Sequence, residues 1–266
     1  MKRSFLFLLS YILIFISLAN AQVERKEIGS LVIEGIPDIP ERISERVFQY
    51  QNTRGVSFAG WLPSGNEILI RTRFGETMQV HKVDMPGGSR KQLTFFPEPV
   101  NGASVCPDPT SDVFLFIKDV GGGEFYQIFS FDMKTGIYKM LTDGKSRNSS
   151  PDWSNKGDKF TYSTTKRNGT DTDVYLMDIK NNSDVPLITE GGYWAAIDWS
   201  PDDSKLLVVK YVSANESYLY LFDLATKKLE QVNPSTEKIA YSGILWTKDG
   251  KGIYIVSDEG SEFLQL

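Results

Sequence analysis

The chain of 266 residues contains a single cysteine, Cys106, and a single histidine, His81. One cysteine excludes an intrachain disulfide, so a folded domain must be held by its apolar core. One early histidine excludes a hydrolase triad in the order Ser, acid, His, and no G-x-S-x-G segment exists. No other Cys or His stands near His81 at metal-ligand spacing, so neither a metal nor a cofactor is expected. Basic clusters are missing too: 29 Lys and Arg face 34 Asp and Glu. That balance excludes binding driven by phosphate neutralisation, so no nucleic-acid partner is expected, and an anionic membrane surface is equally unsuited. After residue 55 no segment sustains a helical period.

The one long apolar run is N-terminal. Residues 5–18 are almost unbroken in apolar character, preceded by Lys2 and Arg3 and followed by Ala19-Asn20-Ala21. This reads as a signal peptide over 1–21, cut after Ala21, which places the mature chain in the periplasm or outside the cell. A membrane anchor is the alternative, but the run is shorter than the roughly 18 to 20 apolar residues that span a bilayer. No membrane insertion is expected after cleavage. Losing Lys2 and Arg3 leaves a mature charge of −7. Residues 22–55 read as a lead-in, in which Ile43, Val47 and Phe48 could form one short helical face.

What the remainder has is a repeat. Trp61, Cys106, Trp153, Trp199 and Trp246 are spaced by 45, 47, 46 and 47 residues, each followed by a polar turn. In phase with them, Asp84, Asp132, Asp178 and Asp223 close alternating runs at 78–83, 126–131, 174–177 and 218–222. A third marker follows as Gln92-Leu93-Thr94, Met140-Leu141-Thr142, Leu187-Ile188-Thr189 and Gln231-Val232-Asn233. Each period offers four short β-prone runs divided by turn residues, the pattern of a β-propeller blade. The fold class expected is therefore all-β, a β-propeller over 56–266. Its complete blades would span 56–101, 102–148, 149–194 and 195–240, with a partial blade over 241–266. Each Trp would supply an apolar plate between neighbouring blades. Each recurrent Asp would accept backbone N–H groups of the turn it precedes. A half blade leaves an open edge. Either the chain is a piece of a longer protein, or residues 30–33 donate a strand.

The text Ser150-Pro151-Asp152-Trp153-Ser154-Asn155-Lys156-Gly157, continuing to Asp173-Val174-Tyr175-Leu176-Met177-Asp178, resembles the WD40-like repeat of the TolB type. Most of the mature chain also resembles the propeller of exported bacterial serine peptidases of the prolyl oligopeptidase family. The likeness lies in Tyr50-Gln51-Asn52-Thr53-Arg54, Glu124-Phe125-Tyr126-Gln127-Ile128, Asp143-Gly144-Lys145-Ser146-Arg147-Asn148, Asn215-Glu216-Ser217-Tyr218-Leu219 and Ser257-Asp258-Glu259-Gly260-Ser261-Glu262-Phe263. The resemblance implies a non-catalytic propeller that gates peptide substrates on their way to a downstream α/β-hydrolase domain of the same polypeptide. The catalytic serine, acid and histidine would all lie beyond Leu266. The alternative is a free-standing TolB-like propeller whose partners are envelope proteins.

Single features carry bland readings beside sharper ones. His81 reads as a solvent-facing or partly buried strand residue, and Cys106 as a small buried hydrophobe. Asp171-Thr172-Asp173 offers too few oxygens for calcium and reads as a solvated loop. Asn148, Asn168, Asn181 and Asn215 open N-x-S/T sequons but read as turn residues. Glu124 and Glu262 recur at similar blade positions and could meet a peptide's ammonium end. Ordinary solvation at a strand edge explains them as well.

Overall fold

Alternation of apolar and polar residues between turn signals produces strands of three to nine residues throughout the chain. A computed structural model describes residues 23–29 and 31–266. The expected signal peptide lies outside the described residues. Two compact units result, divided after Thr53.

The first unit holds β1 (Arg25–Ile28), β2 (Leu31–Glu34) and α1 (Glu41–Gln51). β1 and β2 form an antiparallel hairpin with Arg25 opposite Glu34. β2 covers most of residues 30–33, the run that is one candidate for donating a strand to the last blade. Pro40 precedes α1, where its fixed φ of −55° suits a helix start, and Glu41 adds a favourable charge to the first turn.

The second unit is a succession of antiparallel meanders. The first sheet is β3 (Ser57–Trp61), β4 (Ile68–Thr72), β5 (Gln79–Val83) and β6 (Arg90–Gln92). The second is β7 (Gly102–Val105), β8 (Val113–Lys118), β9 (Gln127–Asp132) and β10 (Tyr138–Met140). The third is β11 (Asn148–Trp153), β12 (Lys159–Thr164), β13 (Asp173–Asp178) and β14 (Ser183–Ile188). The fourth is β15 (Tyr193–Trp199), β16 (Lys205–Ser213), β17 (Glu216–Asp223) and β18 (Leu229–Gln231). A pair follows, β19 (Tyr241–Trp246) and β20 (Ile253–Ser257). Beyond β20 the backbone of Gln265 exchanges both hydrogen bonds with Ser257. Gln79, Gln127 and Asp173 pair in the same way with Thr72, Lys118 and Thr164 at the ends of their second strands.

The core lies in the seams between successive sheets. Period-two alternation sends opposite faces of one strand to different seams. Phe114 and Phe116 pack toward the first sheet with Leu69 and Val80, while Leu115 between them packs toward the third with Trp153 and Phe160. β16 repeats this: Leu206 and Val208 face Val174 and Trp194, whereas Leu207 and Val209 face Ile244.

Candidate functional site

Two ends of the sheet stack follow from the meander topology. Turns joining strands one to two and three to four lie at one end. Loops joining strands two to three, and connections to the next sheet, lie at the other.

The anchors sit where the first turn begins, and a backbone device aims them. The first strand bulges just before Trp61, Trp153, Trp199 and Trp246, but β7, which leads to Cys106, pairs in straight register. A bulge bends and twists the strand, redirecting the side chain that follows. Trp153 and Trp199 are 7% and 5% exposed, and their indole N–H groups donate to the carbonyls of Ser104 and Asp152 in the preceding sheet at 3.3 and 3.1 Å. Trp246 is half-buried, and its indole nitrogen is buried without a partner. Trp61 is 63% exposed and meets Phe58 edge-on at 6.0 Å between ring centroids. The same placement explains the difference, since an anchor packs on the sheet before it and no earlier sheet stands in this unit.

Cys106 is buried and donates weakly to the Gly157 carbonyl at 3.5 Å. Burial pushes its thiol up, away from the reactive thiolate. Gly157 approaches so closely that a Cβ there would stand 2.6 Å from the Cys106 sulfur. Gly157 also has φ of +70°, and Gly65, Asp203 and Gly250 take the same left-handed conformation four residues after their own anchors.

The recurrent acids differ in use. Asp132, Asp178 and Asp223 accept turn N–H groups from Lys134, Asn181 and Thr226 at 2.8, 3.0 and 2.8 Å. These bonds hold all three carboxyls below their ordinary value. Asp84 instead lies 3.3 Å from the Lys82 ammonium. At this end an open groove of about 500 Å³ runs between the third and fourth sheets, past Trp199 and Asp203. Asp203 clasps that seam, accepting the N–H groups of Asn155 and Lys156 at 2.7 and 3.1 Å.

At the opposite end, Glu124 and Glu262 are both exposed in loops that follow second strands. Glu124 has φ of +59°, and its carboxylate lies 3.9 Å from Arg147, whose guanidinium covers Phe125. Among the described residues no hydrogen bond or ion pair brings Glu124 and Glu262 together.

Three expectations need correction. His81 is fully buried, with Nδ1 3.1 Å from the Gln79 carbonyl, Nε2 unpartnered, and the Phe74 ring edge-on to it. Burial depresses its pKa below the ordinary histidine value. It faces outward in neither sense expected of a solvated strand residue, because Phe74 closes over it. The Asp171-Thr172-Asp173 loop is an inter-sheet clasp: Arg167 donates to the buried Asp173 at 2.7 Å, and Gly192 N–H donates to Asp171 at 2.9 Å. Asn148 opens β11 and is buried, with Nδ2 donating to the carbonyls of Tyr126 and Ser146 at 2.9 Å each.

Sequence reasoning also missed a buried polar hub near the start of each third strand. Gln127 accepts from Thr142 Oγ1 and Gly144 N–H at 2.7 and 2.9 Å, and donates to Ser146 O at 2.7 Å. Gln79 accepts from Phe96 N–H at 3.1 Å, and Ser217 Oγ from Tyr241 N–H at 2.8 Å. Each hub ties down the connection to the next sheet. Among the described residues, no group of three or more His, Cys, Asp or Glu side chains is arranged to hold a metal.

No family model matches the chain. A protein of Agrobacterium fabrum whose own activity is uncharacterized is 28% identical over 165 residues. That alignment takes in 60% of this chain and 51% of the relative, so the chain spans about half the length of the curated relative it matches. Solved structures align over more of it. A prolyl endopeptidase structure superposes with a TM-score of 0.62 at 13% identity, over 90% of this chain and 42% of that one. TolB from Acinetobacter baumannii gives 0.55 at 14% identity, over 88% and 61%. Dipeptidyl peptidase 4 of Porphyromonas gingivalis gives 0.56 at 14% identity, over 84% and 38%. The sheets are therefore propeller blades, of the architecture found in TolB-like proteins and in the propellers of prolyl oligopeptidase-type peptidases.

Proposed function

We propose that this chain is the non-catalytic propeller portion of an exported serine peptidase of the prolyl oligopeptidase type. In this reading it gates the access of short peptides to an α/β-hydrolase domain of the same polypeptide. The observation that carries it is the superposition on prolyl endopeptidase, in which nearly all of this chain covers well under half of the peptidase. The lone His81 is buried beneath Phe74, which suits a chain that relies on another domain for chemistry. Export rests on the N-terminal apolar run and its Ala19-Asn20-Ala21 end.

The test is hydrolysis of aminoacyl- and dipeptidyl-nitroanilides by residues 22–266 and by the full product of the gene. Activity confined to a longer product supports the proposal. Activity in residues 22–266 alone contradicts it.

A second reading is a TolB-like periplasmic propeller that binds envelope proteins. The superposition on TolB favours it, because this chain covers a larger share of TolB than of the peptidases. It predicts a stable envelope partner on affinity capture and no peptidase activity in any product of the gene.

A further inference from the structure

The residue before each anchor belongs to a column through the inner strands: Gly60, Val105, Asp152, Asp198 and Leu245. Members of adjacent blades meet across the seams. A Cβ at Gly60 would stand 2.9 Å from Cγ2 of Val105. Asp198 Oδ2 accepts the backbone N–H of Trp246 in the next blade at 2.7 Å. Asp152 and Asp198 are consecutive members, joined also through Trp199, whose indole N–H reaches the Asp152 carbonyl.

The two carboxyls have unequal surroundings. Asp198 is served by two backbone N–H groups, from Trp246 and, at 3.1 Å, from Trp199. Asp152 Oδ2 is buried and receives nothing. A buried carboxylate without a donor is costly, whereas a neutral carboxylic acid is far less so. We propose that the seam between the third and fourth blades is a proton-held latch, closed with Asp152 as the neutral acid beside ionised Asp198 and loosened when Asp152 loses its proton.

Among the described residues, no cation on the elements packed around Asp152 stands ready to take the proton's place. On β12, Lys159 lies by Asp158. On β9, Asp132 holds its own turn, and β7 and β19 carry no charged residue. On β13, Asp173 is paired with Arg167, and Asp178 holds a turn. On β16, Lys210 covers the Trp194 ring and Lys205 lies toward Asp223. On β17, Glu216 is paired with Lys238. Burial, reinforced by the charge of Asp198, pushes the Asp152 carboxyl up to about 7, and burial holds Asp198 above its ordinary value as well. The folded chain thus keeps a proton that the unfolded chain releases near 3.8. The seam therefore loses stability as pH rises from about 4 to about 7, and the loss is complete above that.

Thermal unfolding of the chain and of its Asp152→Asn variant, at pH 5 and pH 8, tests the latch. The amide mimics the neutral acid. The variant should lie somewhat above the wild type at pH 5, and that margin should widen by roughly 3 °C or more at pH 8. An equal offset at both pH values overturns the proposal. If the variant does not fold, the carboxyl carbon of Asp152 in the wild type can be followed by NMR. A midpoint above about 6 supports the latch, and one below about 4.5 overturns it.

Discussion

Trp61 and Trp199 occupy the same position in the repeat and differ more than tenfold in exposure. Their contributions to stability should differ accordingly. Trp199→Ala removes a fully packed indole and its bond to Asp152, and should cost about 3–5 kcal/mol in chemical denaturation. Trp61→Ala should change stability by about 0.5 kcal/mol or less. Equal losses would mean that Trp61 is covered. The spacing that marks both residues is plain in the amino-acid text, but which anchors are buried is not, because burial depends on the preceding blade. Cys106 shows the same limit. A tryptophan there would restore the repeat, yet Gly157 fills the space it needs, so Cys106→Trp should destabilise. The reciprocal change Gly157→Ala places a Cβ against the Cys106 sulfur and strains a left-handed backbone, costing about 2–4 kcal/mol. His81 adds a pH dependence of opposite sign to that of Asp152. Its pKa is depressed in the folded chain, so the unfolded chain binds the proton more readily. Stability is intact above the ordinary value of 6.5 and is lost as pH falls below it. His81→Gln should shift the melting temperature at pH 5 upward relative to that at pH 6.5, compared with the wild type, and an unchanged difference between the two pH values would remove His81 as a contributor.

At the scale of strands and loops, the meanders were legible because their alternating runs end at Asp84, Asp132, Asp178 and Asp223, three of which do fasten turns. The hubs were not legible. Gln79, Gln127 and Asp173 fill one structural position with two residue types, and in the fourth blade Ser217 serves from one residue earlier, so no repeated text marks the hubs. Their common property is a buried polar group facing a loop that must be tied down, and only the packed sheet shows it. The bulges before the tryptophans were equally silent, since they need an extra residue and no particular one. The Asp171–Asp173 loop looked solvated because its two acids stand in polar text, while Arg167 and Gly192 supply their partners. Removing Arg167 leaves Asp173 buried and unpaired. Arg167→Ala should therefore lower the denaturation midpoint, because the buried Asp173 carboxylate loses its partner. Arg167→Lys should recover part of that loss. A neutral result for Arg167→Ala would show that the clasp contributes nothing.

At the scale of the whole chain, stability is distributed over seams in place of one central core. Each seam joins only neighbouring blades, so a lesion in one is felt mainly there. The seam between the third and fourth blades is fastened by Asp203 and Trp199 at one end and by Asp171, itself held by Arg167, at the other. The latch at Asp152 sits inside it, so its loosening as pH rises toward 7 should be read against fixed clasps at both ends. The proposed peptidase role draws on this arrangement, since blades that keep their spacing can hold a ring of loops over a second domain. Glu124 and Glu262, carried on such loops, are the side chains to vary once a substrate is in hand.

Radial stacking of the blades is the claim beneath all of this, and distances between equivalent outer turns test it directly. Spin labels at Ser89, Lys134, Lys180 and Thr226 would mark the turn between the third and fourth strands of the first four blades. Pulsed electron resonance should show that the distance from the first blade grows by shrinking steps toward the fourth, as chords of a ring do. Equal steps would describe a straight stack and contradict the propeller.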